Sequence, residues 1–155
     1  MTGLREAFEQ AAPQLVAAAW DYTGRDDAVE KLWVYVTEEE RVGVVQAYYQ
    51  VRGEVHTARG VAQVLPDVDG SPAAQGALFD ELDDVVSDMY DARGDDEFPT
   101  RLVLSFSPAE QELNADFSYE PLQPGVPDDE LVPDAQLADR WLERLRATGN
   151  ESATL

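Results

Sequence analysis

Residues 71–93, SPAAQGALFDELDDVVSDMYDAR, decide the fold of this chain. Ser71 can accept a hydrogen bond from a free backbone N–H at a helix start, and Pro72 suits the first helical position because the N–H that it lacks would have no partner there. Apolar side chains then recur at helical spacing, at Leu78, Phe79, Leu82, Val85, Val86, Met89 and Tyr90. The spacing predicts an amphipathic helix that ends before Gly94 and packs its apolar side against a sheet or other helices.

The opposite side of this predicted helix carries acids and no base: Asp80, Glu81, Asp83, Asp84, Asp88 and Asp91. Like charges one helical turn apart cost about 0.2–0.5 kcal/mol per pair. The helix dipole and salt screening reduce that cost, so a merely solvated acidic side is one interpretation. The other is a docking surface for a positively charged partner. Five of these residues are our candidate partner-binding set, named here the acidic face: Asp80, Asp83, Asp84, Asp88 and Asp91.

The charge of the whole chain points the same way. Its 155 residues include 32 acids against 11 bases, which gives a formal net charge of −21. Such a surface repels nucleic acid and anionic membranes, so neither is an expected partner, whereas a basic protein would be attracted. Acidic surfaces also confer solubility, and a single lysine (Lys31) beside ten arginines is compatible with an effect of genome composition or a saline cytoplasm. Both interpretations stay open.

The N-terminus and the missing cysteines limit the class of protein further. Without cysteine the chain has no disulfide framework, no zinc–thiolate site and no cysteine nucleophile. Residues 1–20, MTGLREAFEQAAPQLVAAAW, lack the unbroken apolar core of a signal peptide, and no run approaches the roughly 20 apolar residues that span a bilayer. We therefore expect a cytoplasmic protein with one domain over residues 1–147.

A helix and a hairpin are predicted before the central helix. Residues 4–20 have helical spacing, and Pro13 is expected to kink or break that helix. Its inward positions are Leu4, Phe8, Leu15, Ala19 and Trp20. Residues 31–37 and 41–51 are rich in β-branched and aromatic residues, which are typical of strands, and the turn between them is expected at Glu38, Glu39 and Glu40.

Residues 52–65 are ambiguous. Val55, Thr57, Val61 and Val64 favour a third strand within residues 54–65, whereas Gly53 and Gly60 weaken it. The sequence leaves the existence of this strand open.

A second hairpin and a last helix are predicted after the central helix. Residues 101–107 and 112–119 alternate apolar and polar side chains around a turn, and the second strand is expected to be half-buried through Leu113, Ala115, Phe117 and Tyr119. A proline-rich surface loop over 121–133 precedes a helix over 134–147, and residues 148–155 are expected to fray. The order α-β-β-(β)-α-β-β-α predicts an α+β fold: a single antiparallel sheet packed on a face with N-terminal, central and C-terminal helices.

The sequence offers little for catalysis. His56 is the one histidine, so a serine–histidine arrangement has little to work with. Asp80 and Asp84 lie one helical turn apart and would suit Mg²⁺ or Ca²⁺, but a helix this acidic contains such pairs by chance. Residues 67–70, DVDG, hint at a calcium loop but lack its closing glutamate. We predict no catalytic residue, no metal site, no cofactor and no enzymatic activity.

Several blocks of the chain resemble the YezG-like family of immunity (antitoxin) proteins. They are KLWVYVTEEE (31–40), ALFDELDDVVSDMYDA (77–92), TRLVLSFSPAEQELNADFSYE (100–120) and ADRWLERL (138–145). The amphipathic helix before the first block also matches, so the resemblance spans roughly residues 4–145. The chain departs from the family in the turn at 107–110 and in the long insertion at 123–133. The resemblance implies a small cytoplasmic α+β protein that binds and neutralises a cognate toxin domain, often a nuclease, and that has no catalytic residues.

Two functional hypotheses follow. The first is an immunity protein that inhibits its toxin stoichiometrically, with the acidic face in contact with the basic cleft of a nuclease. The alternative is an acidic α+β protein-interaction module unrelated to toxins. If the acidic face is not the contact, the next candidate surfaces are Glu38 to Glu40 and residues 123–133. The sequence does not predict the oligomeric state.

Overall fold

One antiparallel sheet of five strands forms the centre of the fold. The computed structural model describes residues 3–39 and 42–153, and at Val42 it describes the backbone alone. The strands are β1 (Val29–Glu39), β2 (Val42–Val51), β3 (Glu54–Thr57), β4 (Arg101–Ser107) and β5 (Glu112–Ser118). Their order across the sheet is β3-β2-β1-β4-β5, and every neighbouring pair is antiparallel. The predicted α+β class with a single antiparallel sheet is confirmed.

Helices cover both faces of this sheet, not one. They are α1 (Leu4–Tyr22), α2 (Ala58–Val64), α3 (Pro72–Ala92) and α4 (Asp134–Thr148), with a short 3-10 turn at Asp128–Glu130. Side chains of β1 alternate between two cores: Leu32 and Val34 share one with α1, α2 and α3, whereas Trp33 and Tyr35 share the other with α4. The two sides of β1 are both apolar, and that is why a helix is needed on each.

The central helix forms as its sequence predicts. Ser71 Oγ accepts a hydrogen bond from the Ala74 backbone N–H at 3.2 Å, and Pro72 occupies the first turn. The helix ends just before Gly94, whose φ of +67° suits glycine because it has no Cβ. Leu78, Leu82, Val85, Val86 and Met89 are buried, so the apolar side of α3 is committed to the core.

Pro13 does not break the first helix, so the sequence prediction of two short helices there is wrong. Helix α1 runs without interruption from Leu4 to Tyr22. Pro13 is exposed, whereas Ala11, Ala12 and Leu15 beside it are buried. The carbonyl that loses its hydrogen bond at the proline therefore lies on the solvent side, while the packed side keeps the helix continuous.

The ambiguous residues 54–65 form a strand and then a helix. Strand β3 ends at Thr57, whose Oγ1 accepts from the Gly60 backbone N–H at 3.0 Å and so caps α2. Val61 and Val64 thus belong to α2 rather than to a third strand. Gly70 lets the following loop approach α2, since a Cβ there would come within 2.3 Å of the Ala62 Cβ.

The first hairpin is longer than predicted. Glu38 and Glu39 lie in β1 and pair with Gly43 and Val42, and Glu40 of the predicted turn lies outside the described residues. Gly43 permits this pairing, because a Cβ there would come within 2.2 Å of the Thr37 carbonyl oxygen.

The second strand of the other hairpin is more exposed than predicted. Leu113 and Ala115 of β5 are exposed, and Phe117 is half-buried. Helix α1 packs over β1 and β4 and reaches β5 through the Phe8–Phe117 ring contact. The expectation of a half-buried strand is therefore wrong for Leu113 and Ala115, because none of the described helices extends over that end of β5. It is also wrong for Tyr119, which follows the strand and is exposed.

Residues 151–153 are half-buried or buried, which corrects the prediction of a frayed tail for this part of the C-terminus. The Ala153 side chain is fully buried in the α4 core. Its N–H donates to Asp116 Oδ2 at 2.7 Å, and its carbonyl accepts from Arg101 Nη1 at 2.9 Å. The carbonyl of Ser152 accepts from Trp141 Nε1 at 3.0 Å. These polar partners, distant in sequence, hold the segment down, and Thr154 and Leu155 lie outside the described residues. Among the described helices, none is both long and apolar enough to cross a membrane.

Candidate functional site

The five residues of the acidic face lie together on the solvent side of α3. Asp80, Asp83, Asp84, Asp88 and Asp91 are all exposed, whereas Leu78, Leu82, Val85, Val86 and Met89 of the same helix are buried. Within residues 3–39 and 42–153, none of the five forms an ion pair with a base. Helix packing therefore does not require these carboxylates, and their charge is presented to water.

A cleft between α3 and the first hairpin brings a second predicted surface next to the acidic face. Asp83 and Asp91 line this cleft from α3, and Glu38 lines it from β1. Tyr90 and Val45 lie in the same cleft, so its floor is partly apolar. The sequence treated Glu38 to Glu40 as a separate candidate, whereas the structure places Glu38 beside the acidic face.

The loop after α3 extends the negative charge. Asp95, Asp96 and Glu97 line a second cleft together with Glu38 and Glu39. Asp96 Oδ2 accepts from the Leu4 backbone N–H at 2.9 Å, which fixes the loop to the start of α1. We name the acidic face together with Glu38, Asp95, Asp96 and Glu97 the acidic surface.

A half-buried base just after α3, Arg93, also lines the second cleft. The Arg93 guanidinium lies over the Tyr90 ring, 3.7 Å from its centroid, and Nη1 donates to the Tyr90 carbonyl at 2.6 Å. Glu39 is also engaged, because its Oε2 accepts from the Leu122 backbone N–H at 3.1 Å. Arg93 thus supports the local structure of the acidic surface, and Glu39 ties it to the loop that follows β5.

The charge of the described elements is asymmetric across the sheet. Helix α3 carries six acids and no base, whereas α4 on the opposite face carries three acids and three arginines. A positively charged macromolecule therefore meets the strongest attraction on the α3 side.

An apolar groove beside the acidic surface was not predicted. The Phe8 and Phe117 rings meet edge-to-face with centroids 5.0 Å apart, and Leu4 and Tyr119 line the groove with them. Asp96 and Glu97 form its rim and so connect it to the acidic surface. Partial burial raises the pKa of Tyr119, and the nearby Glu97 and Asp96 raise it further. We name this the β5 groove. Its sequence signal was the alternation along residues 113–119, which predicted a half-buried strand and no groove.

His56 lies elsewhere, in a cleft on the α4 side. Lys31, Trp33 and Arg146 line that cleft with it. Lys31 and Arg146, which line this cleft, already have partners. Lys31 pairs with Glu151, and Arg146 donates to the Val55 carbonyl from Nε at 3.1 Å and from Nη2 at 2.8 Å. The described residues that line this cleft include neither serine nor threonine.

The remaining predicted surface, the proline-rich loop, is closed by the side chain of Gln123. Gln123 Oε1 accepts from the Val132 N–H at 2.9 Å, and its Nε2 donates to the Val132 carbonyl at 3.0 Å.

No group of three or more His, Cys, Asp or Glu side chains within the described ranges is arranged to hold a metal ion. Comparison of the chain with protein-family models and with curated proteins gives no match.

Proposed function

We propose that this protein is an immunity protein that binds a cognate toxin domain and neutralises it by stoichiometric protein–protein inhibition. The acidic surface is the part that meets the toxin, and a basic nuclease domain is the class of toxin that such a surface fits. The proposal is supported by the motifs that resemble YezG-like immunity proteins and by the chemistry of this surface.

One observation carries the proposal: the acidic face is a group of exposed carboxylates without an ion-pair partner among the described residues, on a helix whose other side is buried. Mutual repulsion of these charges slightly opposes helix formation. In a contact with a basic protein, attraction to the positive charges of that protein would offset the repulsion among the carboxylates.

The neighbouring clefts and the β5 groove add apolar side chains that could be buried in an interface, which charge alone does not provide. Interfaces take most of their affinity from a few buried anchors, often aromatic, and charge complementarity mainly accelerates encounter and fixes the choice of partner. Tyr90 and Val45 lie in the cleft beside Asp83 and Asp91, and Phe117 and Tyr119 lie in the β5 groove beside Glu97. The acidic surface therefore borders apolar side chains on two sides.

The test begins with the gene that adjoins the one for this chain, because immunity and toxin genes are expected to be neighbours. The C-terminal domain of the adjoining product is expressed in a bacterial host with and without this protein. We expect growth when this protein is present and growth arrest when it is absent. The purified components should form a 1:1 complex with a Kd in the nanomolar range or below, which corresponds to about −12 kcal/mol or better.

Growth arrest that this protein does not relieve, with no complex between the purified components, would contradict the proposed function. Tight binding to a nontoxic protein instead would favour an interaction module unrelated to toxins.

A further inference from the structure

Strand β5 is an open edge of the sheet. Of the residues that the structure describes, β5 pairs with β4 alone, in an uninterrupted register over its seven residues. The backbone N–H and C=O groups that point away from β4 are therefore available to another strand. The other edge differs, since β3 has four residues and continues directly into α2.

The side chains along this edge are apolar and accessible. Leu113 is 40% exposed and Tyr119 is 43% exposed, although large apolar residues are usually buried. Both lie on the side of the sheet that faces α1, in line with Ala115 and Phe117. A strand added to β5 would place its own side chains against this row, and one of them would enter the β5 groove.

The charge around the edge selects the occupant. Asp96 and Glu97 form the rim of the groove, and Glu110 and Glu112 lie at the start of the strand. Among the described residues that line the groove, Arg5 is the one base, and its charge is offset by Glu9, 3.2 Å away.

A second copy of this chain is a poor occupant. It would bring a second set of the same acids against the first, with a net charge of −21 on each copy, and like charges across an interface oppose association. A basic strand would meet the opposite charge.

We propose that an extended, basic segment of the partner protein adds as a sixth strand to the outer edge of β5 and seats an apolar side chain in the β5 groove. Backbone hydrogen bonds would supply affinity, and the groove would supply the choice of side chain, as in other cases of strand addition. This inference rests on the proposed function and identifies the element of the toxin that makes the contact. Because Asp96 and Glu97 belong to both, the groove and the acidic surface would bind one continuous partner.

The test uses two leucines of similar exposure. Leu113→Arg places a positive charge beside the proposed basic strand, whereas Leu131→Arg makes the same change at a residue of the proline-rich loop that is 47% exposed. Both positions are on the surface, so both variants should fold, which their melting temperatures will show. With the C-terminal domain encoded by the adjoining gene as the probe, we expect Leu113→Arg to raise the Kd at least tenfold and Leu131→Arg to change it less than twofold.

Amide hydrogen exchange is a second test, because a surface charge effect alone would not protect the backbone amides of β5. In the complex, the amides of residues 112–118 that point away from β4 should become protected, because they would donate to the added strand. Wild-type binding with no new protection in β5, or equal weakening by the two variants, would overturn the inference and leave the proposed function intact. Failure of the probe to bind the wild-type protein would overturn both. A wild-type dimer that Leu113→Arg converts to monomer would show that a second copy occupies the edge.

Discussion

Two adjacent buried tyrosines of β2, Tyr48 and Tyr49, contribute to the stability of the sheet. Tyr49 lies in the α1–α3 core and donates its hydroxyl hydrogen to the Ala19 carbonyl at 2.7 Å. Tyr48 lies in the α4 core, stacked on Trp141 with ring centroids 5.7 Å apart. Burial raises the pKa of both hydroxyls far above the ordinary value of 10.0, with smaller contributions from neighbouring charges. The sheet thus depends on both phenols staying protonated.

These raised pKa values predict a loss of stability in alkali. In the unfolded chain both tyrosines ionise near pH 10, whereas in the folded chain they keep their protons. The folded state then binds more protons than the unfolded state, so the free energy of unfolding falls as pH rises above about 10 and is unaffected by these groups below it. Urea unfolding at several pH values, with tyrosinate absorbance as a second signal, measures this.

The Tyr49→Phe variant provides the check. It should unfold more easily at neutral pH, by about 1–3 kcal/mol, because the Ala19 carbonyl loses its hydrogen bond in a buried place. Its stability should then fall less steeply above pH 10 than that of the wild type. Tyr119→Phe, at an exposed position, should change the slope less. Identical alkaline slopes for wild type and Tyr49→Phe would contradict this account.

The C-terminal segment shows how an element without regular structure can hold the fold. Arg101 is 4% exposed, and its guanidinium donates to the Tyr35 hydroxyl at 3.1 Å and to the Ala153 carbonyl at 2.9 Å. A buried guanidinium needs acceptors, and the segment after α4 supplies one of them. Removing the segment would take one hydrogen-bond acceptor from the Arg101 guanidinium and uncover the apolar side chains that pack against Ala153.

Deletion of residues 150–155 should therefore destabilise the protein by about 2–4 kcal/mol, the order expected for losing hydrogen bonds to a buried charged group together with the burial of Ala153. Thermal or urea unfolding measures the loss. Glu151→Gln is the matched control: it removes the partly exposed ion pair with Lys31 but keeps the backbone acceptors, and it should cost less than about 1 kcal/mol. An unchanged stability after deletion would mean that the segment is not held in solution.

The sequence predicted elements well where a single helix or strand carries its own signal. Ser71, Pro72 and Gly94 mark the ends of α3, and alternation marks β4, so both were placed within a residue or two. The errors arose where tertiary partners decide. Whether Leu113 is covered depends on where α1 lies, and whether the C-terminal segment frays depends on Arg101, which is distant in sequence. Pro13 was tolerated for the same reason, since packing on its buried side outweighs one lost hydrogen bond.

The candidate site was predictable in part. The exposure of the acidic face followed from helical periodicity alone, because the apolar positions fix which side is buried. Its continuation through Glu38 and Asp95 to Glu97 depended on how the first hairpin packs beside α3, which spacing does not reveal. The β5 groove had the same dependence on tertiary structure and was missed.

At the scale of the whole molecule, charge and shape coincide. The α3 side carries most of the excess negative charge of the helices, and the two clefts and the β5 groove adjoin it. A positively charged partner would be oriented toward that side before contact. We infer that this side, rather than the net charge of −21 as such, directs association with the partner.

The rate of association measured against ionic strength tests that claim most directly. Stopped-flow mixing of the toxin domain encoded by the adjoining gene compares the wild type with a triple variant, Asp83→Asn, Asp84→Asn and Asp88→Asn. The control makes the same change of net charge in the proline-rich loop, with Asp128→Asn, Asp129→Asn and Glu130→Gln. We expect the α3 variant to associate about tenfold more slowly at low salt, the control less than twofold, and all three to converge at high salt, where screening removes steering. Equal rates for the two variants, or a larger loss in the loop variant, would contradict the account and move the contact away from α3.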